Sequence, residues 1–375
     1  MGQYETLAAS PQLWLQGERP DEPLFFFSPD QLRATVQEYL TGFPGEVTYA
    51  VKANPHPDVL AILVDQGVEA FDVASPEEMM RVRQVLPTAR LHYHNPIRSR
   101  DEIDLARLYG ITSWSVDRMS ELDKLGDIAG AEIAVRFKLP VQGAAYDFGS
   151  KFGAEPAAAI EMLRAVKARG GVASITFHPG TQCHQPEAWV QYIQVAADMA
   201  KAAEVDLYRL NVGGGFPAHR CGLLPDLGRI FAAIDQAVDR AFGAARPKLV
   251  CEPGRGMVAE SFTLALRVKS VSDEAVFLND GIYGGLSEWR DLGTGERVEL
   301  MADQRPQPPL GFRERVVFGP TCDSVDRLPT PMKLPDGIEE GDYLLFPGIG
   351  AYSYAQTTRF NGYGACKIIT LSSRP

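Results

Sequence analysis

The sequence predicts an α/β fold, a (β/α)8 barrel followed by a C-terminal antiparallel β-domain of sandwich or barrel-like form. Three observations carry this. Eight short β-rich runs alternate with segments of helical spacing through the middle of the 375-residue chain. Polar residues and glycines load the C-terminal end of nearly every run, the face on which barrels build their sites. After Ser261 the alternation stops, and strand-like runs follow one another without long helices between them. A doubly wound open sheet could be assembled from the same alternation, and the loading of one rim favours the barrel.

In order, the barrel strands are expected at 47–51, 70–73, 91–93, 113–116, 133–137, 174–177, 208–212 and 248–251. Helical spacing occupies 76–86, 156–169, 187–203 and 226–242. The strand ends read Lys52-Ala53-Asn54, Asp72 with Ser75, His94-Asn95, Asp117, Arg136 with Lys138, His178-Pro179-Gly180-Thr181, Gly213-Gly214-Gly215 and Glu252-Pro253-Gly254-Arg255. Beyond them, strands are expected at 262–271, 275–278, 313–318, 342–346 and 364–371, with turn-rich loops at 306–311 and 329–337. Residues 28–261 therefore form the expected barrel, and 262–375 the β-domain, joined by 1–27 from the N-terminus.

Composition bounds the function. The chain is 45% hydrophobic and 23% charged, as an ordinary soluble globular protein is. A formal net charge of −11 and a pI near 5.1 argue against nucleic acid and anionic membranes, which select basic patches. Cys183, Cys221, Cys251, Cys322 and Cys366 are odd in number and contain no C-x-x-C pair, which suits reduced thiols in a cytoplasm. Residues 1–15 lack a basic start and an apolar core, so no signal peptide is expected. No apolar stretch approaches the roughly 18 residues that span a bilayer.

Lys52 closes an apolar strand pattern, where burial would lower the amine's pKa. Such a lysine is either a cation paired with a buried carboxylate or a nucleophile toward an aldehyde. Gly213-Gly214-Gly215 exposes backbone N–H groups that can converge on a phosphate, or it is a tight strand-to-loop turn. Glu252 and Arg255 on the next strand end supply an acid and a phosphate-matching fork nearby. His92 and His94 share one strand, but no further histidine set completes a metal site, and no metal is expected. His178 ends its strand in extended geometry imposed by Pro179, and is either an anion-site residue or a satisfied core histidine. Residues 319–327, 348–352 and 359–362 are polar loops with a cysteine, two acids and aromatic anchors.

Taken together and in order, Tyr-Ala-Val-Lys-Ala-Asn, Phe-Asp-Val-Ala-Ser, Gly-Gly-Gly-Phe-Pro, Glu-Pro-Gly-Arg, Gly-Pro-Thr-Cys-Asp-Ser-Val-Asp-Arg and Gly-Ala-Tyr resemble the barrel-fold pyridoxal-phosphate decarboxylases of basic amino acids. That is the ornithine, diaminopimelate and arginine decarboxylase family. The ornithine decarboxylase subgroup is most similar, because Asp323 follows Cys322, where diaminopimelate enzymes usually carry Glu. The resemblance implies roles. Lys52 would hold pyridoxal 5'-phosphate as a Schiff base. Gly213, Gly214, Gly215, Gly254, Arg255, Tyr352 and Thr181 would bind its phosphate. His178 would stack on the ring, Asp72 and Arg136 would support it, and Glu252 would pair with the ring nitrogen.

Cys322 and Asp323 would arrive from the partner subunit of a homodimer, Cys322 as proton donor to Cα and Asp323 at the substrate's distal ammonium. Tyr283, Phe360 and Asp291 are the further substrate residues, with Glu288 near Asp291. Lys151 and Asp326 resemble a cross-interface ion pair of the family. The implied reaction converts L-ornithine to putrescine and CO2, with L-lysine to cadaverine also open. Diaminopimelate or another substituted diamino acid, a racemase on the same barrel, and a non-catalytic relative similar to the antizyme inhibitors remain alternatives. Two departures stand out: His178-Pro-Gly-Thr in place of His-Val-Gly-Ser, and Asn211 where Asp is frequent.

Overall fold

The computed structural model describes residues 6–8, 10–140, 151–222, 224–293, 295–308, 311–364 and 367–372. Cys366 lies outside them. Eight parallel strands close into a barrel: β1 (Glu46–Ala50), β2 (Ala70–Val73), β3 (Arg90–Tyr93), β4 (Ser113–Val116), β5 (Glu132–Arg136), β6 (Val172–Thr176), β7 (Arg209–Asn211) and β8 (Lys248–Cys251). Closure comes from β8 pairing with β1, Val250 opposite Glu46 and Cys251 opposite Val47. β2 and β4 are buried along their whole length, as expected where helices cover one face and barrel side chains fill the other.

The helices between them start where the sequence supplies caps. Ser75 caps Pro76–Val85 by accepting from the Glu78 amide, and Ser99 with Glu102 forms a reciprocal capping box on Arg100–Leu108. Proline at the first turn opens Pro156–Ala168 and Pro186–Ala203, where a missing N–H costs nothing. Leu227–Phe242 buries Leu227, Ile230, Phe231, Ile234, Ala237 and Val238, a stripe of helical period. Asp226 caps its first turn.

The chain divides into two compact units: 35–217 with 225–256, which holds the barrel, and 1–34 with 218–224 and 257–375. The second unit is built on a nine-stranded sheet. Phe262–Val271 lies antiparallel to both Leu24–Phe27 and Tyr343–Pro347, so the N-terminal segment enters this sheet as expected. The sheet is mixed: Lys367–Leu371 runs parallel to Leu24–Phe27, and Ala275–Leu278 parallel to Phe312–Phe318. The loop expected at 329–337 contains a strand, Met332–Pro335, antiparallel to Phe312–Phe318. Alternate burial of Met332 and Leu334 against exposed Lys333 drives it, despite flanking prolines.

Phe25, Phe26 and Phe27 are all essentially buried, and Phe26 packs with Trp14, Leu24, Tyr343, Leu345 and Ile369. Truncating Phe26 to alanine would cost about 3–5 kcal/mol. Among the described residues no helix is long and apolar enough to cross a membrane.

Candidate active site

In the barrel unit, the C-terminal strand ends gather one chemical set. Lys52 sits on a single 3-10 turn, Val51–Ala53, immediately after β1. It is exposed, which corrects the expectation of a desolvated amine. The turn sets the residue just past the strand end. Its charge still acts on Asp72, Glu78, Glu252 and His178.

Asp72 lies within β2 and is buried, and its Oδ1 has no hydrogen-bond partner among the described residues. Burial, reinforced by the Glu252 charge, pushes its carboxyl up to about 7 against the pull of Lys52. Glu78, to which the sequence reading gave no role, is half-buried and accepts from the Ala74 amide at 2.7 Å, and its carboxyl is raised by burial. Arg136 ends β5, half-buried, with its guanidinium 5.1 Å from the Phe152 ring centre. Its charge acts on His178 across the rim.

His178 accepts at Nδ1 from the Gly180 amide at 3.0 Å, which assigns its proton to Nε2. Burial, then Arg136 and Lys52, push its pKa down to about 3, so the ring is neutral over the working range. A neutral imidazole offers a flat face with no competing charge.

The glycine run turns sharply beside this ring. Gly213 has φ +69, and a Cβ there would sit 2.1 Å from the Phe177 carbonyl oxygen. A Cβ on Gly214 would sit 2.7 Å from the Glu252 carbonyl, and one on Gly215 2.3 Å from the Gly180 carbonyl. Only glycine lets the backbone thread between the β6 and β8 loops. Close by, Arg255 is buried and donates from Nε to Thr181 Oγ1 at 3.4 Å, and Gly254 packs where a Cβ would press on Ala53 at 2.9 Å. With the Gly213 amide given to Asn211, the amides of Gly214 and Gly215 beside an arginine make a cradle for an anion.

Glu252, past the end of β8, is the electrostatic centre. Burial pushes its carboxyl up, but His94, Lys52 and Asn211 more than offset this and hold it down at about 2. Its Oε1 takes short contacts from His94 Nδ1 and Asn211 Nδ2. Asn211 also accepts the Gly213 amide at Oδ1, 2.9 Å away. An amide serves both partners there, whereas aspartate would set a second carboxylate against Glu252. Asp72, His94 and Glu252 bring ligand-type atoms within 4.8 Å of one another. The Nδ1 of His94 is committed to the Glu252 carboxylate, and Asp72 acts on that pair through its charge, so the trio reads as a charge cluster that would suit a protonated ring nitrogen. His92, by contrast, binds Ser113 Oγ at 2.9 Å and lies 3.2 Å from Arg209 within the barrel.

The other unit holds a second set. The Tyr283 hydroxyl donates to Asp323 at 2.6 Å, and its ring packs 4.9 Å from that of Phe360. That hydrogen bond lowers the Asp323 pKa. Asn361, in left-handed conformation at φ 52, accepts from the Cys322 amide at 3.2 Å and lies 3.3 Å from its Sγ. Cys322 is an exposed thiol. Tyr352, half-buried at φ 63, precedes the short helix Ser353–Gln356.

Asp291 stays outside this set, exposed and clasped by Arg290 at 2.8 and 3.0 Å. Glu288 is buried and paired with Arg220 at 2.8 Å. Asp326 is buried in its own loop, accepting from the Ile282 and Thr321 amides and from Thr321 Oγ1. A cross-chain pair with Lys151 would compete with those bonds.

These features meet known proteins over nearly the whole chain. Residues 30–259 match the family model described as the pyridoxal-binding domain of pyridoxal-dependent decarboxylases. Ornithine decarboxylase of Mus pahari is 31% identical over 352 residues, covering 87% of this chain and 75% of the relative. A lysine/ornithine decarboxylase of Selenomonas ruminantium is 31% identical over 345 residues, covering 88% and 84%. The crystal structure of the Paramecium bursaria Chlorella virus arginine decarboxylase superposes with a TM-score of 0.85 at 27% identity, covering 96% of this chain and 98% of that one. With a family match across the barrel, and with relatives that act on basic amino acids, the chain belongs to the pyridoxal-dependent decarboxylase family and is a pyridoxal-phosphate-dependent decarboxylase of basic amino acids.

Proposed function

We propose that the chain converts L-ornithine to putrescine and CO2, with L-lysine to cadaverine as a slower second reaction. The observation that carries this is the Tyr283–Asp323 hydrogen bond beside Cys322. An acid held in its anionic form, next to a thiol able to move a proton, suits a substrate with a cationic end remote from its reacting carbon. Removing such a cation from water without a partner would be costly, so an acid there selects diamino acids. Relatives named for ornithine and for lysine support the same substrate class.

In this reading Lys52 carries the cofactor covalently. Gly213, Gly214, Gly215, Gly254, Arg255, Thr181 and Tyr352 bind its phosphate. The blocked Cβ positions of the glycine run and the buried, unpartnered Asp72 Oδ1 and His94 Nε2 fit a bound group with a phosphate and a polar ring edge. Pyridoxal phosphate, when bound, supplies an electron sink for the charge left at Cα as CO2 departs.

The chain's residues do the rest. Glu252 holds a proton on the ring nitrogen by opposite charge. His178, neutral, covers the ring face without adding charge, and Asp72 and Arg136 fix the ring from neighbouring strand ends. Cys322 returns a proton to Cα as general acid. Asp323 meets the distal ammonium, with Tyr283 orienting its carboxylate and Phe360 packing on Tyr283. Asp291, clasped by Arg290, is left out of this set.

Cys322 and Asp323 serve the barrel of a second copy of the chain, so the working unit is a homodimer. The division of labour is a cofactor-binding barrel, 28–261, and a module of 1–27 with 262–375 that completes the partner's site. A cytoplasmic setting is supported by Cys183, Cys221, Cys251 and Cys322, all free thiols.

The test is a panel of L-ornithine, L-lysine, L-arginine and diaminopimelate incubated with the cofactor-loaded protein, with CO2 and amine quantified. Putrescine formed fastest is the expected result. Turnover of diaminopimelate without turnover of ornithine overturns the proposal, as does chiral inversion of ornithine without CO2.

A further inference from the structure

His94 sits against the residue on which the electron sink depends. It follows β3 directly and is 8% exposed. Its Nδ1 contacts Glu252 Oε1, and Asn211 Nδ2, which donates to that same oxygen, lies 3.2 Å from the same ring nitrogen. Its Nε2 is buried with no hydrogen-bond partner among the described residues.

The groups acting on His94 come from four elements. Asp72 faces it from β2, Glu132 from β5 and Glu252 from beyond β8. His92 lies on its own strand, with ring centres 5.5 Å apart. Lys52 and Arg136 act on the same acids from the rim.

The charges dictate what His94 does there. Two carboxyl groups, Asp72 and Glu252, share one buried space, and two uncompensated anions cannot both persist in it. A histidine between them supplies one positive charge. Burial works against that charge, but Glu252 first and then Asp72 overcome it and raise the His94 pKa. With Glu252 balanced by His94, the site still carries the second acid, and a protonated ring nitrogen would complete the balance. Because the His94 and Asn211 contacts both fall on Oε1, Oε2 would be the oxygen left for the ring nitrogen.

We propose that His94 is a positioning residue for Glu252: it clasps Oε1 as an imidazolium, aims Oε2 at the ring nitrogen, and sets the pH range over which that nitrogen keeps its proton. This rests on the reading that places Glu252 at the ring nitrogen. Loss of the His94 proton at alkaline pH leaves Glu252 uncompensated and strengthens its hold on the ring proton. A neutral replacement does the same at every pH.

The test is the visible absorbance of the bound cofactor titrated with pH, together with the pH profile of kcat, in wild type, His94→Gln, His94→Ala and Glu252→Gln holoenzymes. His94→Gln keeps a donor without a charge, so its spectral midpoint should move up by about one pH unit. The alkaline limb of kcat should move with it. His94→Ala should show the same shift, and free imidazole in solution should reverse it. His94→Ala alone decides the matter if His94→Gln does not fold. A merely structural histidine would change thermal stability and leave the midpoint in place.

If Glu252→Gln changes the spectrum while the His94 variants titrate as wild type does, His94 has no such role and the assignment of Glu252 stands. If Glu252→Gln leaves the spectrum unchanged, the assignment of Glu252 fails, and this inference fails with it.

Discussion

The Tyr283 hydroxyl donates to the Asp323 carboxylate at 2.6 Å, joining two residues 40 positions apart beside the Cys322 thiol. Hydrogen bonding to the charged form holds the acid ionised. Tyr283→Phe should therefore lower kcat/KM for ornithine about tenfold, the scale of a hydrogen bond to a charged group. Asp323→Asn should lower it about a hundredfold or more, since the substrate's ammonium then lacks its counter-charge. Steady-state kinetics with ornithine check both.

Asp291 tests how far charge alone defines the substrate pocket. Its carboxylate is bound by Arg290 in the structure, so Asp291→Asn should change kcat/KM less than about threefold. A loss matching that of Asp323→Asn would show that Asp291 leaves Arg290 when substrate arrives.

The glycine run predicts a backbone effect separable from chemistry. Gly213→Ala places a Cβ against the Phe177 carbonyl at a left-handed φ of +69. The substitution should destabilise the cofactor-free protein by about 1–3 kcal/mol and speed loss of cofactor on dialysis. Thermal melts of the apoprotein read the first effect, and absorbance of the dialysed protein the second.

Asp72 predicts a pH dependence of the apoprotein. Its pKa is raised to about 7 in the folded chain from the ordinary 3.8, by burial and then by Glu252. A raised carboxyl stabilises the fold fully below its unfolded pKa, and that contribution is lost as pH climbs through the folded value. Between about pH 4 and 7 the wild-type apoprotein should thus lose stability relative to Asp72→Asn. Melting temperatures across that window, compared between the two proteins, check the sign.

Much of the barrel is legible in the sequence, because parallel strands buried on both faces leave short unbroken apolar runs. The strands at 70–73, 113–116 and 248–251 lie where their β-branched and aromatic residues place them. The strand at Met332–Pro335 was hidden by prolines on both sides, since its pairing depends on a distant partner, Phe312–Phe318. Lys52 was legible in position but not in environment: a strand-end pattern does not announce the 3-10 turn on which the residue sits exposed.

His94 and Asn361 were harder to see. The partner of His94 lies 158 residues away, and that of Asn361 39 residues away across a loop in left-handed geometry. No local spacing encodes such contacts. The departure at Asn211 is visible in the sequence but its reason is not: the residue donates to Glu252 and accepts the Gly213 amide, which only an amide side chain does at once.

The covalent attachment at Lys52 underlies every role proposed for the barrel rim. Reducing the cofactor-loaded protein with borohydride, digesting it and mapping the added mass tests that attachment directly. The pyridoxyl-phosphate mass should fall on the peptide containing Lys52, and Lys52→Ala protein should carry none. Mass on another lysine, or putrescine formed at the wild-type rate by Lys52→Ala, would contradict the account.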